Sequence, residues 1–194
     1  MIFPHINAPG IALEATHART GTEVHAELAA QGVQGIDRHD VFASSALWPN
    51  RPHQEVAAQF LVRAVEDGGV LGYTSLHELS PHSRYVKCAL AVDSEATART
   101  RTAAAALTVN YAFAMWNVRK IYFWTPEPEV PGLAATGAAP EREGTLPEHL
   151  LDGGTLRAVH IFALYRRRWQ DAGVAFVERI ATESRSPAQE GRRG

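Results

Sequence analysis

The stretch that decides the fold is Tyr85–Thr125, YVKCALAVDSEATARTRTAAAALTVNYAFAMWNVRKIYFWT. Tyr85–Val92 alternates and is rich in strand formers, Asp93–Thr102 is polar, Ala103–Trp116 is a run of helix formers, and Val118–Trp124 is apolar and strand-prone. A strand that runs through a helix into a second strand makes a right-handed parallel crossover. Ligands collect where the first strand feeds the helix, so residues 85–102 are the first place to seek a site.

The 194-residue chain is long enough for one domain and short for two. Its net charge of −2 argues against free nucleic acid as a partner. Cys88 is the single cysteine, which excludes an internal disulfide and suits a reducing cytoplasm. The start, MIFPHINAPG, lacks the basic residues and apolar run of a signal peptide, and no apolar stretch approaches membrane-spanning length. The expectation is a soluble, cytoplasmic protein with no membrane partner. One domain covers residues 1–183, and Ser184–Gly194, polar with Pro187 and three arginines, is a disordered tail.

Working outward, Gly10–His17 alternates as a strand, and Thr20-Gly21-Thr22-Glu23 opens a helix over Glu23–Gln31. Gly32–Asp40 is a loop, Phe42–Trp48 leads into Trp48-Pro49-Asn50-Arg51-Pro52, and Asn50 caps the next helix. Val56, Ala57, Phe60, Leu61, Ala64 and Val65 fall at helical spacing, which predicts that this helix is amphipathic and covers His53–Glu66. Asp67-Gly68-Gly69 turns into a strand over Val70–Leu76, and a loop over Glu78–Arg84 completes a hairpin with Tyr85–Val92. Beyond Thr125, PEPEVPGLAATGAAP is too rich in proline for a long helix. Glu141–Leu146 and Leu156–Tyr165 read as strands around a turn at Leu151–Thr155, and Arg166–Ile180 reads as a helix starting near Trp169. Tyr111, Phe113, Met115 and Trp116 occupy more than one face of the crossover helix and are assigned to the core.

This order of elements resembles the general N-acetyltransferase (GNAT) superfamily, in particular its ribosomal-protein N-terminal acetyltransferase branch. The resembling phrases are the strand–helix GIALEATHARTGTEVHAELAA, the Trp48-Pro49 step, Gly72-Tyr73, Asn110-Tyr111-Ala112-Phe113, Val118-Arg119-Lys120-Ile121, Gly137 before Glu141-Arg142-Glu143-Gly144, and Asp152-Gly153-Gly154 before Tyr165 and Trp169. They span roughly residues 8–170. The resemblance implies an α/β fold, a mixed and mostly antiparallel sheet flanked by helices, in which the parallel fourth and fifth strands, Tyr85–Val92 and Val118–Trp124, splay apart. A phosphopantetheine arm carrying an acyl thioester lies in that gap near Ala91 and Val92, and strand amides polarise the thioester carbonyl for direct attack by an amine.

The family also wraps the coenzyme A pyrophosphate with a Gln or Arg followed by a glycine pair. Those positions fall on Ser94, Thr97 and Arg99, and SEATARTRT contains no glycine. The Asn and the thiolate-protonating Tyr expected after the fifth strand fall on Pro126 and Leu133. Three explanations compete. In the first, acetyl-CoA is still the donor, for a protein N-terminus or small amine, held by side chains of Thr97, Arg99, Arg101 and Thr102. In the second, the domain is an inactive binding module. In the third, which is slightly favoured, an acyl or peptidyl carrier protein presents the arm, making a pyrophosphate loop unnecessary, and the acceptor is a small-molecule amine in specialised biosynthesis. Arg99, Arg101, Arg119 and Lys120 would then form a basic donor entrance facing an acidic carrier.

Aminolysis needs a neutral amine and hence a base, whereas a thiolate leaves with little help. Base candidates are His77, Glu78 and His82, with Tyr85 orienting the acceptor and Phe42 and Trp48 lining its pocket. Cys88 lies on the opposite face from Lys87. An acyl-cysteine is one reading of it and a small buried side chain the other. His77 and His82 are too isolated from other ligand types to hold a metal.

Overall fold

The computed structural model describes residues 2–16, 21–33 and 56–183. Phe42, Trp48, the loop beyond residue 33, the Asn50 cap and the tail at 184–194 lie outside the described residues. The described strands form one eight-stranded sheet in the order β1-β2-β3-β4-β5-β6-β8-β7. They are β1 (Asn7–Ala8), β2 (Ile11–Ala15), β3 (Val56–Ala64), β4 (Val70–Ser80), β5 (Tyr85–Val92), β6 (Lys120–Thr125), β7 (Glu141–Asp152) and β8 (Thr155–Tyr165). Every neighbouring pair is antiparallel except β5 with β6, the parallel crossover read from the sequence.

The helix expected over His53–Glu66 is instead β3, paired on one side with β2 and on the other with β4. The physical reason is double burial. Leu61 faces the cluster under α1 (Gly21–Ala30), while Phe60 and Val62 join the core on the other face. A strand covered on both faces is apolar at consecutive positions, and a short run of that kind satisfies helical spacing equally well. Each such side chain contributes about 1.5–3 kcal/mol by leaving water.

The crossover helix α2 (Ala98–Met115) begins at Ala98 rather than at the alanine run from Ala103. Thr97 is its N-cap, extended at φ −60°, ψ 153°, with its hydroxyl oxygen accepting the Thr100 amide at 3.1 Å. Nearly the whole circumference of α2 is buried between Thr102 and Phe113, as expected for a helix lying between the sheet and further structure. Phe113 is core, but Met115 is half exposed, so that residue does not belong there.

The other faces of α2 are closed by the C-terminal run: a turn at Arg166–Arg168, a π-helical turn at Trp169–Gly173 and α3 (Val174–Glu183). Trp169 is fully buried, and its indole N–H donates to Asn110 Oδ1 at 3.2 Å. The Asn110 amide in turn donates to the Phe3 carbonyl at 2.6 Å, tying the N-terminal segment to α2. After β6 the proline-rich segment forms only a 3-10 turn, Ala134–Thr136, as its composition predicts.

Candidate functional site

The sheet opens in the middle of the crossover. β5 and β6 pair only at Tyr85 with Lys120, Val86 with Ile121 and Lys87 with Tyr122, after which β5 continues to Val92 and β6 to Thr125 without pairing to each other. The Asp93 amide donates to Leu71 O of β4 at 2.8 Å. By strand alternation the Leu90 and Val92 amides point the other way, into the gap, beyond the last paired residue. Fixed N–H donors at the edge of a widening gap are suited to a carbonyl on which negative charge develops.

Between β5 and α2, part of the connecting segment is bonded within itself. Asp93 Oδ1 accepts the Glu95 amide at 3.0 Å and Asp93 O accepts the Ala96 amide at 3.1 Å. Thr97 takes the Thr100 amide on its hydroxyl and the Arg101 amide on its carbonyl. The Arg101 guanidinium donates to Ser94 O at 2.7 Å and to Ala96 O, drawing the loop onto the helix. Arg99 pairs with Glu183 of α3 at 2.8 Å. Gly132 approaches the first turns of α2 so closely that a Cβ there would lie 2.9 Å from Thr102 Cα. Thr102 and Leu133 are buried in this contact region, while Ala91 and Val92 close β5 beside it. Arg119 and Lys120 stand at the other end of the strands, where the Arg119 amide donates to Arg84 O at 2.6 Å. The expected four-residue basic entrance is therefore not assembled.

The sheet face opposite α2 carries the acceptor-side candidates. Tyr73, in the cluster under α1, fixes the orientation of β4, so Ser75 and His77 share its face. Lys87 lies directly opposite His77 in the register. His77 is buried, its Nδ1 is 3.1 Å from Ser75 Oγ, and burial, helped by the Lys87 charge and opposed by Glu78, pulls its pKa down to about 4. It is neutral at physiological pH and a poor proton acceptor there. Glu78 occupies a bulge between His77 and Ser80 with φ +49°, a backbone state that costs a non-glycine residue about 1–3 kcal/mol. The bulge brings its carboxylate to Lys87 Nζ at 2.7 Å, and that ammonium lies 4.4 Å from the centroid of Trp124 across the mouth of the gap. Tyr85 packs edge-on against Tyr122 at 5.4 Å. His82 is exposed in the β4–β5 turn. Cys88 is buried in the α2-side core, and burial pushes its thiol pKa up, the opposite of what a nucleophile needs.

Sequence reasoning passed over Trp124 and Glu143. Lys120 is nearly buried and bonds both carboxylate oxygens of Glu143, at 3.0 and 2.9 Å, beneath Tyr122 and Tyr165. Burial opposes the Lys120 charge, but hydrogen bonds to Tyr122 and Glu143 outweigh it and raise its pKa. The Tyr165 hydroxyl also donates to Glu143. The signal for Trp124 is strand alternation on β6, which places Lys120, Tyr122 and Trp124 on one face, whereas Glu143 lies on β7 and meets Lys120 only through the sheet register. Among the described residues no group of three His, Cys, Asp or Glu side chains is placed to hold a metal ion, and no helix is long and apolar enough to cross a membrane.

No family model matches the sequence, and neither does any curated protein. Solved structures do match. A GCN5-related N-acetyltransferase from Brucella melitensis superposes with a TM-score of 0.65 at 18% identity, covering 92% of this chain and 86% of its own. A probable acetyltransferase of the GNAT family from Chromobacterium violaceum gives 0.57 at 16% identity, covering 86% and 88%. A chimera of the spermidine N-acetyltransferase SpeG from Vibrio cholerae and hSSAT gives 0.56 at 16% identity, covering 84% and 99%. With the parallel β5–β6 pair opening inside an otherwise antiparallel sheet, the chain has the GNAT fold.

Proposed function

We propose that the protein is an N-acyltransferase that moves an acyl group from a phosphopantetheine thioester to an amine. The donor arm lies in the β5–β6 gap, and the amine approaches from the face that carries Glu78, Lys87 and Trp124. The amine nitrogen attacks the thioester carbonyl, the Leu90 and Val92 amides hold the developing oxyanion, the C–S bond breaks, and the sulfur leaves as a thiolate. Glu78 takes the proton from the amine, because its partly exposed carboxylate stands at the mouth of the gap whereas His77 is buried. Tyr85 orients the acceptor.

The observation that carries the reading is an open gap beside a glycine-free loop that is in part already bonded within itself. A pyrophosphate cradle needs free amides, and those of Glu95, Ala96, Thr100 and Arg101 are bonded within residues 93–101, which leaves it fewer donors. A donor presented on a carrier protein needs only the gap, so such a donor is favoured, with a small-molecule amine of a biosynthetic route as acceptor. The second reading is an acyl-coenzyme A donor. It gains from the mixed charge at this mouth, where Asp93, Glu95 and Glu183 offset Arg99 and Arg101, leaving little to attract an acidic carrier. Mass spectrometry of the protein with a panel of amines and either acyl-loaded carrier or acyl-coenzyme A tests both. Amide product with the carrier alone supports the first, product with coenzyme A alone supports the second, and no product with either donor overturns the assignment of acyl transfer.

A further inference from the structure

Lys87 places a primary alkylammonium group where an acceptor's amine would have to pass. It extends from the last β5 residue paired with β6, and its Nζ lies between the Glu78 carboxylate, 2.7 Å away, and the Trp124 ring, 4.4 Å from the centroid. Trp124 belongs to β6 beyond the pairing, so the contact spans the two splayed strands on the face opposite α2. Trp124 remains 43% exposed and is held edge-on by His149 at 6.1 Å, so its ring offers a fixed aromatic face to solvent. Glu78 reaches this place only through the left-handed backbone of its bulge. A carboxylate and an indole face together form a cation site, and the chain's own ammonium already fills it.

We infer that Glu78 and Trp124 form the subsite for the acceptor's ammonium group, and that Lys87 is a built-in occupant which the acceptor displaces on binding. The identification with the acceptor rests on the proposed acyl transfer, but cation binding does not. A tethered competitor acts at an effective concentration on the order of millimolar, so Lys87 raises the midpoint about tenfold when the vacated site holds a simple ammonium at roughly 0.1 mM. An acceptor with further contacts overcomes this competition, and the displaced Lys87 side chain, on its flexible stem, turns toward solvent. Lys87 is thus a specificity-determining residue that selects against simple monoamines.

The test needs no turnover. Incorporating 5-fluorotryptophan gives one fluorine signal for each of the four tryptophans, and Trp124→Phe assigns the relevant one. n-Butylammonium chloride is titrated into the full-length wild type, Lys87→Met and Lys87→Gln, with 1-butanol as the neutral control. The Trp124 signal is expected to move saturably in both variants at concentrations about tenfold or more below those the wild type needs, with no response to butanol. Adding Glu78→Gln to Lys87→Met should remove the effect. The unchanged signal of buried Trp169 shows that each variant is folded, and two lysine substitutions guard against failure of one. An unmoved Trp124 signal in the folded variants, the same midpoint in wild type and variants, or an equal response to butanol would overturn the inference. If ammonium binds as expected but no donor yields an amide, it is the acyl-transfer reading that fails.

Discussion

Replacing His77 by Asn removes a titrating group while keeping a side-chain oxygen able to accept a hydrogen bond from the Ser75 hydroxyl. In the folded protein burial holds the imidazole at about 4, against 6.5 for the exposed group. Between those values the unfolded chain binds a proton that the native state refuses, so unfolding free energy rises with pH, and the stability present above 6.5 is lost as pH falls toward 4. The full difference is worth about 3 kcal/mol, of which about 2.5 kcal/mol is lost between roughly pH 7.5 and pH 4.5. His77 is only 6% exposed, so solvent does little to screen this penalty, and the opposing charges of Glu78 and Lys87 enter with opposite signs. Urea unfolding of wild type and His77→Asn across this range isolates the contribution, because other titrating groups are common to both. The wild type should lose about 2.5 kcal/mol more than the variant on acidification. Parallel curves, differing by a constant at all pH values, would refute the claim that His77 is buried and neutral.

Three further substitutions probe the architecture around the gap. Gly72→Ala places a Cβ 2.4 Å from Ala91 O and 2.7 Å from Val92 Cα, so β5 must shift at the gap; stability should fall by about 1–3 kcal/mol, and amide chemical shifts of Ala91 and Val92 should move more than those of Tyr85 and Val86. Gly173→Ala drives a methyl to within 2.2 Å of the Trp169 ring, and thermal unfolding should drop by several degrees with a change in Trp169 fluorescence. Asn110→Ala leaves the buried Trp169 N–H and the Phe3 carbonyl without their partner, and should cost about 2–4 kcal/mol in denaturant unfolding.

The sequence is most legible where local chemistry and long-range packing ask for the same thing. Tyr85–Val92 alternates because one face meets the α2 core and the other does not, and its predicted bounds match β5. Proline after Thr125 limits helix to a single turn whatever packs on it. Legibility fails where packing alone decides. Phe60 and Leu61, with Ala57 and Ala64, look like a helix stripe until the sheet supplies cover on both faces. The start of α2 is hard to place because Thr97–Thr102 is polar, and a capping hydroxyl leaves little trace in a hydrophobic pattern. At the site, Glu78 and Cys88 are visible as residue types but not as geometry. A bulge turns Glu78 toward Lys87, and alternation sends Cys88 into the core. Arg99 and Arg101 look like free donors in the sequence, yet a carboxylate eighty-four positions away and two loop carbonyls take them up.

In the proposed reaction the donor is held by its pantetheine arm in the β5–β6 gap and not by a pyrophosphate at the start of α2. Comparing kcat/KM for an acyl-coenzyme A and the matching acyl-phosphopantetheine, which differ only in the adenosine phosphate portion, tests it most directly. Values within about threefold of each other are expected, because the loop before α2 has no glycine and the Glu95, Ala96, Thr100 and Arg101 amides are already bonded within it. A loss of about a hundredfold or more on removing that portion, equivalent to roughly 2.7 kcal/mol of lost transition-state stabilisation, would contradict it.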